Sequence, residues 1–283
     1  MRCLVAVFVF CSVALWAAAP DTERAQQLFK RGQYENVISV LGSAPAGDPA
    51  AQLLTGKSWF ALGQFKKATE ALERAVAADP RSSEAYHWLG KAWGRRAETS
   101  NPLMAPGYAS KARAAFEKAV GLNPRNAEAV NDLFEYYLEA PGFLGGGLDK
   151  AQALTEKIKA NDPAEYHYAL ARIAERRKDI RGAEHHLRSA ANLAPRQVGR
   201  IIDLGRFLSK QGRTRESEEV FARAETIAPN EPRLLFERAS NLIRAKQDLD
   251  TAKALLQRYL RMPLSPDDPP RDEAQKLLKA AGA

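Results

Sequence analysis

The sequence predicts an all-α fold: a solenoid of about seven stacked helical hairpins closed by a C-terminal capping helix. Three observations carry this. A fragment recurs at intervals of about one hairpin, and its most regular copy is Ile201-x2-Leu204-Gly205-x2-Leu208, then Ser217-x3-Phe221-x2-Ala224, then Pro229. Small residues stand where two helices must approach closely, and large apolar residues stand where neighbouring hairpins leave space. Proline closes each second helix, because it lacks an amide donor and clashes with the preceding turn. Gly and Pro break the pattern about every 30 residues, far too often for the sustained heptads of a coiled coil.

The first twenty residues read as an export segment. Met1-Arg2 carries a positive charge, Cys3 to Ala19 is apolar apart from Ser12, and Ala17-Ala18-Ala19 offers an A-x-A cleavage site. Pro20 is a poor residue directly after such a site, so a retained membrane anchor over residues 4–19 stands beside the cleaved signal. Both cysteines, Cys3 and Cys11, lie in this segment. The remainder therefore has no disulfide framework and no cysteine metal site, and its stability must come from a core that grows with each hairpin.

The hairpins follow in order. The first, near 21–46, keeps Leu28, Gly32, Tyr34, Val37 and Leu41, a reduced pattern suited to an end repeat. The second, 49–82, has Gly56, Trp59, Gly63, Phe65, Ala68, Leu72, Ala75 and Pro80. The third, 83–126, runs from Tyr86-x2-Leu89-Gly90-x2-Trp93 to Ala112-x3-Phe116-x2-Ala119 and Pro124, with extra sequence at 97–108 between the halves. The fourth, 127–163, has Val130-x2-Leu133, Tyr137, Ala151, Ile158 and Pro163, with an insertion at 140–148. The fifth, 164–197, carries Leu170, Ala171, Ala174, Ala183, Leu187, Ala190 and Pro195; the sixth, 198–231, is the regular copy. The seventh, 232–263, is again reduced, and residues 264–283 give a turn and a capping helix with Ala274, Leu277 and Leu278 on one face.

These spacings resemble the tetratricopeptide repeat (TPR), a helix–turn–helix unit of about 34 residues, over nearly the whole chain after residue 20. The resemblance implies a right-handed superhelix whose first helices line a concave surface, and a protein that binds other proteins without catalysis; together with the first twenty residues this reads as an exported TPR protein of bacterial type.

The residues themselves offer no catalytic constellation. None of the four histidines, His87, His167, His185 and His186, forms an i,i+4 pair or an H-E-x-x-H motif, and no G-x-S-x-G elbow occurs. The run Gly145-Gly146-Gly147 lacks the G-K-[ST] of a phosphate loop and reads as a wide turn. Neither an enzyme activity nor a cofactor or metal is expected. Formal net charge is +8, but Lys and Arg alternate with Glu, as in Glu175-Arg176-Arg177-Lys178-Asp179. That pattern describes solvated helix faces rather than a nucleic-acid surface, while the excess favours acidic partners or an anionic membrane surface.

Helical periodicity places candidate partner-binding residues between the packing positions of the first helices. These are His87, Lys91 and Arg95 in the third repeat, and Asn131, Glu135 and Glu139 in the fourth. The fifth gives Tyr168, Arg172 and Arg176, the sixth Ile202, Arg206 and Lys210, and the seventh Phe236, Ser240 and Arg244. The row leans basic, which suits a peptide carboxylate or acidic side chains, with Tyr168 and Phe236 as apolar anchors. The two enlarged turns supply a second candidate edge through Leu103, Met104, Phe143 and Leu144. Phe143 and Leu144 are expected to fold back as a plug, the alternative being partner contact, and the two enlarged turns are expected to meet in space.

The function that follows is a non-enzymatic scaffold binding a peptide or partner helix, periplasmic or secreted, or held at the inner membrane by an uncleaved segment. A subunit of an envelope assembly packing through its convex face or loop edge, and a domain accompanying an enzyme that acts on envelope material, are the alternatives. The sequence leaves the oligomeric state open.

Overall fold

The computed structural model describes residues 19–282, apart from 43, 45, 46, 266 and 267. The expected export segment and both cysteines lie almost wholly outside the described residues. Among the described residues there are fifteen α-helices and no strand, and no helix is long and apolar enough to cross a membrane.

The helices pair as hairpins: α1 (Ala19–Lys30) with α2 (Tyr34–Leu41), and α3 (Pro49–Ala61) with α4 (Phe65–Ala78). Then come α5 (Ser83–Thr99), α6 (Ala105–Leu122), α7 (Ala127–Glu139) and α8 (Leu148–Asn161). The pairs α9 (Pro163–Arg176) and α10 (Ile180–Leu193), α11 (Val198–Lys210) and α12 (Thr214–Ile227), and α13 (Pro232–Ala245) and α14 (Leu249–Leu260) follow, and α15 (Arg271–Gly282) ends the chain. Polar N-caps start the first helices. Asp48 accepts from the amides of Ala50 and Ala51, Ser82 from Ala85, Asn126 from Ala129, and Asp162 from Ala164 and Glu165. Pro80, Pro124, Pro195 and Pro229 each stand two residues beyond a second helix. Pro163 stands in the same place after α8 and is also the first residue of α9, where a missing amide costs nothing.

The chain divides into two compact units, one up to Ala115 and one from Phe116, the boundary falling inside α6. Within each, a second helix packs on the next first helix, as α2 on α3 or α12 on α13, and first helices lie side by side, as α1 with α3 and α11 with α13. That is solenoid stacking. Two glycines make the close approach possible. A Cβ on Gly56 would stand 2.5 Å from Leu72 Cγ, and one on Gly205 would stand 2.5 Å from Phe221 Cε1. Ala25, Val37, Leu41, Ala51 and Leu54 form the core of the first hairpins. Ala274 of α15 closes the last core on Leu256 and Tyr259, with Leu277 and Leu278 partly buried beside it.

The turn inside a hairpin needs one residue in the left-handed region. Gly32, Gly63 and Gly212 supply it at φ 71°, 69° and 73°, and Lys178 and Lys246 supply it at 60° and 54°. The third and fourth hairpins depart from this turn. In the third, most of the extra sequence lengthens α5 and α6 to 17 and 18 residues, leaving only Ser100–Met104 as the connection. The expected long loop is therefore largely helix. Tyr108 explains this, because its ring stacks on Trp93 at 5.3 Å with the Arg96 guanidinium against both rings. Burial of that stack needs an extra turn on each helix.

Candidate functional site

In the second unit the row of charged residues on the first helices is brought together, but on itself. Arg172 donates to Glu135 Oε1 at 2.9 Å, to Glu139 Oε1 at 2.7 Å and to the Tyr168 hydroxyl at 3.1 Å. Arg176 donates to the Leu138 carbonyl at 2.7 Å. Arg200 donates to Asp203 Oδ2 at 2.7 Å and to Glu165, with its guanidinium 3.9 Å from the Tyr168 ring centre. Asp203 is only 2% exposed and is the hub: Arg200, Arg206 and Arg233 all pair with it. Arg206 also reaches Glu237 at 3.9 Å, and Arg244 donates to Ser209 Oγ at 2.5 Å.

Arg172 and Arg206 of the expected basic row are thus paired with carboxylates of an adjacent repeat, while Arg244 is held by the Ser209 hydroxyl. Burial raises Glu135 and Glu165 above the ordinary carboxylate range, with Arg172 and Arg200 respectively pulling the other way. Burial also raises the Tyr168 hydroxyl. The space left between Tyr168, Arg172, Asp203, Arg206, Phe207 and Lys210 is about 10 Å³, room for one water at most. Lys210 is exposed at its rim and Asn131 is half-buried on α7. Two residues expected on this face are core instead: Ile202 is 1% exposed, and Ser240 is buried, donating to the Phe236 carbonyl at 2.8 Å. Phe236 itself packs on Tyr259 at 5.6 Å between ring centres.

The first unit presents a different face. His87 is 1% exposed and so belongs to the core, although it stands one helical turn before Lys91 on α5. Its neighbour Trp88, not anticipated, takes the surface position. Trp88 packs edge-on against Phe60 at 5.5 Å, and the ammonium groups of Lys57 and Lys91 lie 5.1 and 4.8 Å from its ring centre. Arg95 covers the Phe65 ring at 5.3 Å and pairs with Glu98, while its Nε is buried without a hydrogen-bond partner. Beside this cluster, across α1, α3 and α5, is a cavity of about 360 Å³. Gln26, Phe29, Lys30, Ala50, Leu53, Leu54, Lys57 and Glu84 line it.

At the turn edges, Leu103 is 92% exposed and Met104 48%. Phe143 is 82% exposed, which overturns the expected plug. It sits in a 3-10 turn, Gly142–Leu144, whose geometry points it outward, and only Leu144 is partly buried, its carbonyl accepting from the Tyr136 hydroxyl. The three glycines that follow bind no anion through free amides, because each amide is used within the turn. Gly145 donates to Gly142, Gly146 to Pro141 and Gly147 to Tyr137. Gly146 has no room for a side chain, since a Cβ would meet the Ala140 carbonyl oxygen.

The hairpin α9–α10 also brings together His167 and His186, with Nδ1 atoms 3.1 Å apart. Desolvation lowers both imidazoles below the ordinary histidine value. A search for i,i+4 pairs misses this, since the two residues face each other across a hairpin.

Residues 18–83 and 53–96 match the family model of the tetratricopeptide repeat. A tetratricopeptide repeat protein from Parabacteroides merdae aligns over 94% of this chain and 99% of its own, with a TM-score of 0.68 and 13% identity. The fold is a TPR fold. A TPR protein of Thermus thermophilus covers 68% of this chain and 99% of its own at 23% identity and a TM-score of 0.55. The APC/C hetero-tetramer Cut9–Hcn1 covers 95% and 50% at 15% identity and a TM-score of 0.58. At these identities the likeness concerns the TPR fold alone. No curated protein sequence matches the chain.

Proposed function

We propose that this TPR chain is a non-enzymatic interaction scaffold whose partner site is the first-helix face of its N-terminal unit. Stacked repeats make extended binding surfaces. The observation that carries the choice between the two first-helix faces is space; the second unit has a cavity of about 370 Å³, but its lining, which includes Asp162, Leu193 and Pro195, contains none of the charged row. The N-terminal face holds a cavity of about 360 Å³, within the range that accepts a ligand group, whereas the C-terminal row closes to about 10 Å³. Phe29, Leu53 and Leu54 would take an apolar side chain of an extended peptide or partner helix. Lys30 and Lys91 would meet its carboxylates, and Trp88 would serve as the aromatic anchor.

Immobilised chain challenged with extract of the source cells tests this. Leu53→Glu and Trp88→Ala should each lose the bound protein, and Arg206→Ala with Lys210→Ala should keep it. The opposite pattern would move the site to the second unit.

The loop edge supports a second reading. Leu103 and Met104 are exposed in the α5–α6 connection, the same hairpin lines a cavity of about 360 Å³ through Arg96, Ser100 and Tyr108, and this edge would suit packing into an envelope assembly. Export through residues 1–20 places the scaffold in the periplasm or outside the cell, or at the inner membrane if the segment is retained. N-terminal sequencing of the fractionated protein separates these: a start at Pro20 marks cleavage, and a start at Met1 in the membrane fraction marks the anchor.

A further inference from the structure

Three histidines take no part in the charged rows: His167 on α9, and His185 and His186 on α10. Folding of one hairpin sets the His167 and His186 rings 5.3 Å apart between centres, with Nδ1 facing Nδ1 at 3.1 Å, and places the His185 ring 5.1 Å from His186. His185 is exposed and the other two are half-buried, so all can be reached from solvent.

Imidazole nitrogen suits the borderline cations zinc, copper and nickel. With metal–nitrogen bonds of about 2.0–2.1 Å, two nitrogens on one tetrahedral ion stand about 3.3–3.4 Å apart. The observed separation is a few tenths of an ångström shorter, and turning the two rings so that their lone pairs converge closes the difference.

We propose that His167 and His186 form a two-nitrogen chelate for a borderline transition-metal dication, clipping α9 to α10. Water completes the shell, and no third ligand is fixed: among the described residues no group of three His, Cys, Asp or Glu side chains converges. The surroundings set a moderate affinity. Asp179, capping α10, attracts a cation from the His186 side. Lys159 of α8, held 5.2 Å from the Tyr166 ring centre, repels it from the His167 side. Such a site exchanges its metal, unlike a closed four-ligand structural site.

Thermal unfolding of the purified full chain, without a histidine tag, tests this in zinc, copper, nickel and, as a hard-cation control, magnesium chloride. A ligand that binds only the folded state raises the midpoint with its concentration. The midpoint should rise with the first three salts, stay fixed with magnesium and return on adding EDTA. His167→Gln and His186→Gln should each abolish the rise, and Lys159→Ala should enlarge it. No rise in the wild type, or an equal rise in both glutamine variants, overturns the site. A wild-type readout guards against misfolded variants: substoichiometric copper should broaden the imidazole NMR signals of His167 and His186 before that of buried His87. Broadening of another site first would contradict the chelate.

Discussion

The first-helix faces of the two units use similar residues for opposite ends. In the C-terminal unit several arginines of this face find a carboxylate one repeat away, as in Arg172 with Glu135, Arg200 with Glu165 and Arg233 with Asp203. The face fills itself and becomes part of the packing. In the N-terminal unit Lys57 also pairs with a carboxylate one repeat away, Glu84, yet Lys57 and Lys91 lie against the Trp88 ring and a cavity stays open next to it. Charge on a repeat surface therefore does not by itself mark a binding site; both faces carry ion pairs between repeats, and what separates them is the space that packing leaves, about 360 Å³ against about 10 Å³.

The comparison is broken most forcefully at Asp203. Asp203→Ala leaves Arg200, Arg206 and Arg233 without their buried acceptor and should cost about 3–5 kcal/mol, read from urea unfolding. A loss near zero would show that the row is ordinary surface. The cores, by contrast, should behave alike in the two units. Gly56→Ala and Gly205→Ala each drive a Cβ into a neighbouring side chain and should each destabilise by about 1–3 kcal/mol, so the difference between units lies in their faces.

A smaller effect concerns pH. Glu135 is raised above its ordinary value of 4.5 by burial, so between pH 4.5 and its folded pKa the folded state holds a proton that the unfolded chain has released. Its contribution to stability is fullest below that window and is lost as pH rises through it. Wild type should therefore lose stability relative to Glu135→Gln on going from acid to neutral pH, and a difference that grew in the opposite sense would mean that Arg172 outweighs burial. Least of all, Lys178→Gly relieves a left-handed lysine at φ 60° and should stabilise the chain by less than about 1 kcal/mol.

Much of the fold was legible in the sequence, because a repeat writes its packing at fixed spacing: Gly205 against Phe221, Gly56 against Leu72, and a proline two residues past most second helices. The face was less legible. Reading one helix at a time places Arg172 and Arg206 outward, and only pairing positions one repeat apart reveals Glu135 and Glu237 as their partners. His87 was misplaced because i,i+4 spacing from Lys91 does not fix which edge of the stripe a residue occupies; its burial follows from α5 packing against α3 and α4. The insertion at 97–108 looked like a loop because it holds Pro106 and Gly107, yet Pro106 sits in the first turn of α6, where proline is tolerated.

Whether the partner seats on the N-terminal face is tested most directly by a lysine-acetylation footprint, read by mass spectrometry, of the chain alone and with its captured partner. Lys30, Lys57 and Lys91 should become protected while Lys210 reacts as before. Protection of Lys210 with the three N-terminal lysines unchanged would contradict that seating.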